Sequence, residues 1–345
     1  MTTTPAGRQT TRRASIKDIA RLARVSHSTV SRALRDSPLV SDDTAERIRR
    51  IARESGYIAS AAARSLVTRR TNTIGVVVTN IADPFVAGVV SGIEDVASEC
   101  SYSVFLANSN ADPEREVRVV QSFEERRVDG IIVTSSRVGA LYLPLLERMQ
   151  VPVVLLNNQH PSEFVHSVMI DNVAASIAAT AHLITCGHLR IAYIGDRLGH
   201  QSNTERFEGY RRALEQGGIP FDPRLVSIGD GKTEGGEAAM NDLLDLDRPP
   251  SAVFCYNDLS AVGAMRAARR RGLQLPAQLS LVGFDDLYIS EYLNPALTTV
   301  RQPMRKMGRM AMETLLCLAS GQRRVANLKV PGELIVRDST APPGT

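Results

Sequence analysis

The hydrophobic pattern begins with two short amphipathic helices within residues 15–34. Apolar residues recur at spacings of three and four, and they are Ile16, Ile19, Ala20, Leu22 and Ala23, then Val30, Ala33 and Leu34. Ser15 and Ser26 each precede a helix, with Asp18 and Thr29 three positions further on. These spacings predict two N-capped helices joined by a tight turn, each burying one face against the other.

A third amphipathic helix completes a small helical domain. Asp42 and Asp43 follow Ser41 in its first turn, and Gly56 marks its end. Its apolar face carries Ala45, Ile48, Ile51 and Ala52. We therefore predict a helix-turn-helix domain of three helices over residues 15–59, which is near the lower size limit for independent stability.

The outward face of the second helix carries polar side chains that can reach base edges in a major groove. They are His27, Ser28, Ser31 and Arg32. We include the capping residues Ser15 and Ser26 among the candidate DNA-binding residues. A small helical hairpin without a role on DNA would show a similar pattern.

The distribution of charge favours DNA binding. Residues 1–70 hold fifteen Lys or Arg and six Asp or Glu, a net charge of +9. The rest of the chain holds 26 Lys or Arg and 31 Asp or Glu, a net charge of −5. A basic segment of this kind binds the phosphate backbone of DNA.

Residues 60–72 are predicted to be a hinge helix and linker. Ser60 can cap a helix over Ala61–Val67, in which apolar Leu66 lies near Arg64. An apolar side chain among cations can act as a wedge between base steps of the minor groove, although a plain linker is the alternative.

Residues 1–14 have few apolar side chains and are expected to form a mobile arm. They contain no signal-peptide core, and no run of the chain approaches the length of a membrane span. We therefore expect a cytoplasmic, nucleoid-associated protein without a membrane partner.

From Thr73 onward, short β-branched runs alternate with amphipathic helices. The first predicted strands are Thr73–Val78, Ser103–Ala107, Asp129–Val133 and Pro152–Leu156. A second series comprises Arg190–Ile194, Leu225–Ile228, Ala252–Phe254 and Leu279–Val282. This alternation is typical of parallel sheets covered by helices on both faces, and the strand number favours two doubly wound lobes over one very wide sheet.

Polar residues follow several of these strands, at the edge where doubly wound sheets bind ligands. They are Asn157, Asn257, Asp258, Asp285 and Asp286, with Arg206 opening the helix after Tyr193–Gly195. Such groups suit a polyhydroxylated ligand, because Asp accepts hydrogen bonds from hydroxyls and Arg donates them. Structural roles are an alternative for two of them, since Asp258 can cap a helix from Leu259 and Asp286 can pair with an Arg.

Motifs of enzymes and metal sites are weak in this sequence. The segment Gly229–Thr233 ends like a phosphate-binding loop, but Val226 stands where the first glycine belongs. His182, Cys186 and His188 cluster locally, and a structural role is favoured over a metal site. The four scattered cysteines indicate neither zinc nor a disulfide framework. We predict no enzymatic activity, no cofactor and no metal.

Motifs along almost the whole chain resemble the lactose/galactose repressor (LacI/GalR) family of bacterial transcription regulators. They are IKDIARLARVSHSTVSRAL, VSDDTAERIRRIARESGY, AARSL, TNTIGVVV, DPF, ERFEGYRRAL, YNDLSAVGAM, VGFDD and LTTVRQP, in the family order. The resemblance implies an α/β protein with a two-lobed, periplasmic-binding-protein-like core over residues 73–345. It further implies a homodimer, or a dimer of dimers, that binds a pseudo-palindromic operator in double-stranded DNA and responds to a small-molecule effector.

The resemblance also implies roles for individual residues. His27, Ser28 and Arg32 match base-reading positions, and Leu66 matches a leucine wedged at the operator centre. The positions that line the effector cleft in the family are Phe85, Asn157, Arg206, Asn257 and Asp285, with Ser202 as a weaker candidate.

Three crossings between the lobes are implied near Ile170, Gln302 and Leu328. The first lobe then comprises about residues 73–170 and 302–328, and the second about 171–301 and 329–345. Two departures from the family are Ala59-Ser60 in place of Pro-Asn before the hinge helix, and Val86 in place of a second aromatic residue after Asp-Pro-Phe. The first weakens the expected ordering of the hinge, and the second reduces the stacking surface for a planar base.

We expect a repressor of carbohydrate-utilisation genes that a sugar or sugar derivative releases from DNA. A regulator that depends on a corepressor, such as a purine or a phosphocarrier protein, would have the same architecture. A sugar-binding protein without a role on DNA is a further alternative, which the basic N-terminal segment and the missing signal peptide disfavour.

Overall fold

The structure is a computed structural model that describes residues 14–57, 70–135, 149, 151–157, 166–197, 200–322 and 327–344. The chain divides into two compact units, Met1–Thr71 and Asn72–Thr345. The N-terminal arm and the hinge residues Ser60, Arg64 and Leu66 lie outside the described residues, so what the sequence predicts for them stays a prediction.

Three short helices form the first unit, as the sequence predicts. They are α1 (Ile16–Ala23), α2 (His27–Ala33) and α3 (Asp42–Glu54). Ser15 accepts a hydrogen bond from the Asp18 amide at 3.3 Å, and Asp18 accepts one from the Ser15 amide at 2.9 Å. Ser26 likewise accepts from the Thr29 amide at 3.1 Å. Both predicted N-caps are confirmed, and they set where the helices begin.

The small core of this unit is aliphatic. Its buried members are Ile19, Ala20, Ala23, Val30, Ala33, Ala45, Ile48 and Ala52. The predicted apolar face of α1 is wrong at Leu22, whose side chain is 58% exposed. Ile19, Ala20 and Ala23 define the buried face, and Leu22 lies about 100° from Ala23 around the helix.

The described part of the second unit contains twelve strands, which form two six-stranded sheets. The first sheet contains β1 (Thr73–Val78), β2 (Ser103–Asn108), β3 (Gly130–Thr134), β4 (Val153–Leu156), β5 (Ser167–Ile170) and β11 (Leu328–Val330). The second sheet contains β6 (Ile191–Asp196), β7 (Val226–Gly229), β8 (Ala252–Cys255), β9 (Ser280–Asp285), β10 (Thr298–Arg301) and β12 (Glu333–Ile335).

The two sheets have the same layout. Their strand orders are β11-β5-β4-β3-β1-β2 and β12-β10-β9-β8-β6-β7. Neighbouring strands are parallel except for the antiparallel pair β10 and β12. Every residue of β6 and β9 is buried, whereas the edge strands β2 and β7 are partly exposed. All eight predicted strands are confirmed to within three residues at their ends, while β5, β10, β11 and β12 were not predicted.

Helices cover both sheets. They are α4 (Pro84–Glu99), α5 (Pro113–Glu125), α6 (Asn172–Thr185), α7 (Gln201–Gln216), α8 (Thr233–Leu244), α9 (Asp258–Arg270) and α10 (Met304–Ala319). Gly92 and Gly308 allow α4 and α10 to touch, because a Cβ at either position would lie 2.0 Å from a carbonyl oxygen of the other helix. None of the helices in the described ranges has the length and apolar character that a membrane span requires.

The chain passes between the two sheets three times. The first crossing joins β5 to α6, the second joins β10 to α10, which packs on α4 and β3, and the third joins β11 to β12. The third crossing falls two residues later than the resemblance implies, because β11 pairs with β5 as far as Val330 opposite Ile170. Lys329 and Val330 therefore belong to the first lobe.

Candidate DNA-reading helix and ligand cleft

The exposed face of α2 is the candidate DNA-reading surface. His27, Ser28 and Arg32 are exposed, while Ser31 is half-buried and accepts a hydrogen bond from the Arg35 guanidinium. The Ser28 hydroxyl hydrogen-bonds that of Ser26 at 2.7 Å. No ion pair joins Arg32 to another residue of the described part of the first unit. His27 and Arg32 are therefore the side chains most available to bases.

A cleft of about 660 Å³ lies between the two lobes of the second unit. The first lobe contributes Thr79, Asn80, Ala82, Asp83, Phe85, Asn110, Ala111, Ser135 and Asn157. The second contributes Asp196, His200, Ser202, Arg206, Asp230, Gly231, Lys232, Tyr256, Asn257, Leu259 and Asp285, and Gln302 lies at the second crossing. The structure thus places in one lining all six residues that the sequence nominates for the effector. The volume suits a small ligand.

Arg206 is fixed at the floor of this cleft. It lies in the second turn of α7 rather than at the start that the sequence suggested, and it is 3% exposed. Its Nε donates to Asn172 Oδ1 at 2.9 Å, and its Nη1 donates to the Tyr256 carbonyl oxygen at 2.6 Å. The guanidinium carbon lies 3.6 Å from the centroid of the Phe284 ring, so the cation is both stacked and hydrogen-bonded.

Asp285 faces Arg206 from the end of β9. Its Oδ1 lies 3.8 Å from Arg206 Nη1 and accepts a hydrogen bond from Gln302 Nε2 at 2.5 Å. Burial raises the pKa of Asp285, while the Arg206 guanidinium opposes this rise. A ligand hydroxyl that enters this corner therefore meets a desolvated carboxyl group and a cation together.

Asn257 and Asp258 have different structural roles at the start of α9. Asn257, not Asp258, is the N-cap, since its Oδ1 accepts from the Ser260 amide at 2.9 Å, and its Nδ2 donates to the Gly231 carbonyl at 2.9 Å. Asp258 is fully buried instead and accepts from Leu287 N at 2.8 Å, Ser290 Oγ at 2.7 Å and Thr299 Oγ1 at 2.5 Å. It is therefore a structural tie between α9 and the segment after β9, and the suggested capping role is wrong.

Asp286 forms the ion pairs that its structural alternative suggested. Its carboxylate lies 2.7 Å from Arg301 Nε and 2.7 Å from Arg337 Nη2. These contacts join β10 to the C-terminal segment, on a side chain that does not line the cleft.

Several lining residues were not found from the sequence. Asp196 is the last residue of β6, and Tyr256 directly follows β8. Both could therefore have been predicted as cleft residues from their positions at the ends of strands. Asp83 accepts from the Phe85 amide at 2.9 Å at the N-terminus of α4, which makes it look like an ordinary helix cap. Burial raises the pKa of Asp83, opposed by its backbone hydrogen bond and by nearby His200. His200 is also hydrogen-bonded to Asp196.

The cluster of His182, Cys186 and His188 has a structural role. His188 is buried, with Nδ1 2.9 Å from Ser251 Oγ and Nε2 2.9 Å from the Ala341 carbonyl oxygen. His182 Nε2 lies 2.9 Å from Thr340 Oγ1. These bonds attach the C-terminal segment to the second lobe. Within the described ranges, no group of three His, Cys, Asp or Glu side chains is placed to hold a metal ion.

Burial also raises the pKa of Asp258, which leads to a pH-dependent expectation for stability. Because the native state holds this proton more tightly than the unfolded chain, its stabilising contribution is complete below the ordinary carboxyl pKa and is lost as pH rises through the raised value. Burial raises the pKa of Asp258 from 3.8 to about 6, so the stability advantage of wild type over Asp258→Asn is expected to shrink between about pH 3.5 and about pH 7, by about 1.4 kcal/mol per unit of upward shift.

Urea unfolding of both proteins at each pH measures that difference. Asp245→Asn, at an exposed carboxylate that pairs with Arg271, serves as the control. A difference between wild type and Asp258→Asn that is the same at both pH values would contradict the assignment.

A helical unit with an exposed polar reading helix, followed along the chain by a two-lobed unit with a polar cleft, is the architecture of a class of DNA-binding transcription regulators. Residues 15–60 match the family model described as bacterial regulatory proteins, lacI family, and residues 180–340 match that of a periplasmic binding protein-like domain. The HTH-type transcriptional repressor CytR of Escherichia coli (strain K12) is 36% identical over 328 residues, covering 95% of this chain and 96% of its own. The chain belongs to the lacI family of bacterial transcriptional regulators.

Solved structures of related proteins share the fold. A lac repressor dimer bound to operator and the anti-inducer ONPF superposes with a TM-score of 0.89 at 27% identity, covering 96% of this chain and 100% of that one. A complex of the transcriptional regulator CelR with cellobiose has a TM-score of 0.73 at 34% identity, covering 95% and 100%. Family membership confirms the predicted fold class and the prediction that the chain is a transcriptional regulator and not an enzyme.

Proposed function

We propose that this regulator represses transcription as a homodimer on a pseudo-palindromic operator in double-stranded DNA, and that a sugar-type ligand in the cleft changes its operator affinity. The observation that carries the proposal is the presence, in one chain, of an exposed reading helix and a cleft whose polar lining comes from both lobes. The protein then works where operator DNA is, in the cytoplasm and on the nucleoid.

Base reading is assigned to α2. The exposed Arg32 guanidinium suits a bidentate contact to guanine, and the exposed His27 imidazole and Ser28 hydroxyl suit single hydrogen bonds to base edges. Ser15, Ser26 and Ser31 are engaged in hydrogen bonds within the helical unit, so their contribution to DNA binding is proposed to be through the phosphate backbone.

Arg32→Ala is expected to lose sequence preference more than overall affinity for DNA. A good bidentate contact discriminates against a wrong base by about 1–3 kcal/mol, which is about 5–150-fold in the affinity ratio. The measurement is fluorescence anisotropy with an operator selected from a random duplex library, compared with a scrambled duplex. Arg50→Ala removes the same charge from the exposed side of α3 and is expected to lower both affinities by a common factor. An unchanged affinity ratio in Arg32→Ala would remove this residue from base reading.

The chemistry of the cleft supports an uncharged, hydroxyl-rich ligand. The described lining contains the carboxyl groups of Asp83, Asp196, Asp230 and Asp285 and the cations of Arg206 and Lys232. Burial raises the pKa of Asp83 and Asp285 and so favours their neutral form, which leaves the cleft without a strong excess of either charge. Carboxyl groups exchange hydrogen bonds with sugar hydroxyls, and a cleft without a cationic excess suits an uncharged ligand better than a phosphorylated one. The related CelR is seen with cellobiose, and a neutral sugar is the ligand class we infer here.

Two exposed sheet edges support the homodimer. Phe105 on β2 is 50% exposed and Ile228 on β7 is 54% exposed, with Ile81 and Leu106 adding to the apolar surface of the first lobe. β2 and β7 occupy equivalent positions, at the end of each sheet away from the crossing strands. Apolar side chains on an unpaired edge favour association with another chain, and we infer that a second copy covers both edges.

Ligand control is proposed to act through a change in the angle between the two lobes. Coupling between two sites in a protein is typically about 1–3 kcal/mol, which changes affinity about 5–150-fold. The predicted hinge helix Ala61–Val67, with Leu66 as its wedge, is the element on which this change would act. The same architecture serves a corepressor, and the sign of the coupling separates the two modes of regulation.

A further inference from the structure

Arg206, which lines the cleft, donates hydrogen bonds to the protein through two of its three guanidinium nitrogens. Nε donates to Asn172 Oδ1, and Nη1 donates to the Tyr256 carbonyl oxygen. Nη2 has no hydrogen-bond partner among the described residues, and Arg206 lines the cleft. A ligand that binds Nη2 therefore acts on a rigid, planar group whose other donors already hold the protein.

The bond from Nε reaches the first crossing between the lobes. Asn172 is the first residue of α6, lies two positions after β5 and is 5% exposed. While its Oδ1 accepts from Arg206, its Nδ2 donates to Glu205 Oε2 at 2.8 Å. Both ends of the amide are thus used, and Glu205 fixes which end faces Arg206.

The contact with Asp285 reaches the second crossing. Arg206 Nη1 lies 3.8 Å from Asp285 Oδ1, the same oxygen that accepts from Gln302 Nε2 at 2.5 Å. The backbone N–H of Gln302 also donates a hydrogen bond to the backbone carbonyl oxygen of Asp285 at 3.2 Å. Gln302 is 4% exposed and directly follows β10. One guanidinium is thereby linked to two of the three crossings.

We propose that Asn172 and Gln302 are positioning residues that couple the orientation of Arg206 to the two crossings. Glu205, Asn172, Arg206, Asp285 and Gln302 together form what we term the hinge relay. Hydrogen bonds weaken steeply as their angles depart from linearity, so a rotation of the guanidinium plane strains its bond to Asn172 and its contact with Asp285. The crossings are where the angle between the lobes is set, so they take up that strain. The inference rests on the proposed ligand control of the cleft and assigns residues to it.

A purely local packing role makes a different prediction from a relay. Among the hydrogen bonds of the described residues, none joins Asn172 to Gln302 directly, so a hydrogen-bonded route between them runs through Arg206 and Asp285. Because α6 also packs against β10, the variants at Glu205 described below, which alter the polar contacts rather than this packing, are needed to separate the two routes. Such an effect can be measured without any ligand, by hydrogen exchange of backbone amides at the two crossings.

The experiment is hydrogen-exchange mass spectrometry on the full-length protein. Asn172→Ala is expected to accelerate exchange at least about fivefold in the peptide that contains the Gln302 amide, and Gln302→Ala to do the same at residues 170–174. Asn241→Ala is the matched control, because its Nδ2 donates to the Glu237 carbonyl within α8 at 3.0 Å and has no link to a crossing. It is expected to leave both peptides at the wild-type rate.

A second pair of variants exchanges the amide of Asn172 and the carboxylate of Glu205 without shortening either side chain, so that any effect cannot come from a lost side chain. Asn172→Asp retains an acceptor for Arg206 but places a carboxylate against Glu205, so exchange at Gln302 is expected to rise. The double variant Asn172→Asp/Glu205→Gln again pairs an acceptor at 172 with a donor at 205 and is expected to return exchange to within about twofold of wild type. If loss of the far-UV circular dichroism signal shows that Asn172→Ala is unfolded, the comparison of Asn172→Asp with Asn172→Asp/Glu205→Gln tests the relay instead.

Exchange that rises only beside the substituted residue would overturn the relay, as would a double variant that behaves like Asn172→Asp alone. Operator binding is measured on the same proteins. A wild-type protein that selects no operator contradicts the proposed function and leaves the relay standing, whereas intact operator binding with strictly local exchange contradicts the relay alone.

Discussion

Phe105→Asp is expected to convert the protein into a monomer and to weaken operator binding by about 10²–10⁴-fold. The reason is that a dimer places two reading helices on one operator, so that the second half-site binds at a high effective concentration. A carboxylate on the exposed edge of β2 would have to be buried without a partner in the proposed interface. Size-exclusion chromatography with light scattering reports the mass, which is 37.5 kDa for one chain, and anisotropy reports operator affinity.

Leu189→Asp is the control for this change. Leu189 is a similarly apolar residue, 72% exposed in the turn between α6 and β6, and it lies on neither sheet edge. This variant is expected to stay dimeric with wild-type operator affinity. If Phe105→Asp remains a dimer, or if Leu189→Asp dissociates as well, the assignment of the interface to β2 and β7 is wrong.

Arg206→Leu is expected to abolish ligand binding in the cleft and to destabilise the second unit. Removing one partner of a buried ion pair costs up to about 3–5 kcal/mol, and the raised pKa of Asp285 reduces this cost because the carboxyl group can take up a proton. A sugar at about 100 times its dissociation constant stabilises the wild-type fold by about 2.7 kcal/mol. A thermal-shift screen of neutral sugars, beginning with cellobiose, and of their phosphorylated counterparts measures both effects.

Two further variants separate loss of binding from loss of stability. Arg206→Leu/Asp285→Asn removes the uncompensated carboxylate, so the melting temperature is expected to recover while the response to sugar does not. Arg212→Leu removes an exposed arginine of the same helix, which pairs with Glu208 at 2.7 Å, and is expected to change neither. A sugar-dependent shift that persists in the double variant would place the ligand elsewhere, and a shift given only by phosphorylated sugars would contradict the proposed ligand class.

Eight of the strands could be predicted because each is encoded by a local pattern of apolar residues in the sequence. Buried parallel strands such as β6 and β9 are continuous apolar runs, and these runs are visible in the sequence alone. The strands that were not found lie at the crossings, have only three or four residues, and include polar positions such as Thr298 and Glu333. They are strands because distant segments pair with them, as Val330 does with Ile170, and no local period encodes such pairing.

The same limit explains what was missed in the cleft. Arg206, Asn257 and Asp285 could be predicted because they follow or flank recognisable strands. Gln302 follows β10, which was not predicted, so there was no strand end to inspect. Asp83 has the sequence signature of a helix cap, and its position in the cleft is evident only once the two lobes face each other.

The central claim is that occupancy of the cleft controls operator affinity. Its most direct test is the anisotropy of the selected operator, titrated with wild-type protein in the absence and presence of the sugar that raises the melting temperature. We expect the sugar to weaken operator binding by about 5–150-fold. A sugar that raises the melting temperature yet leaves operator affinity unchanged would contradict the account.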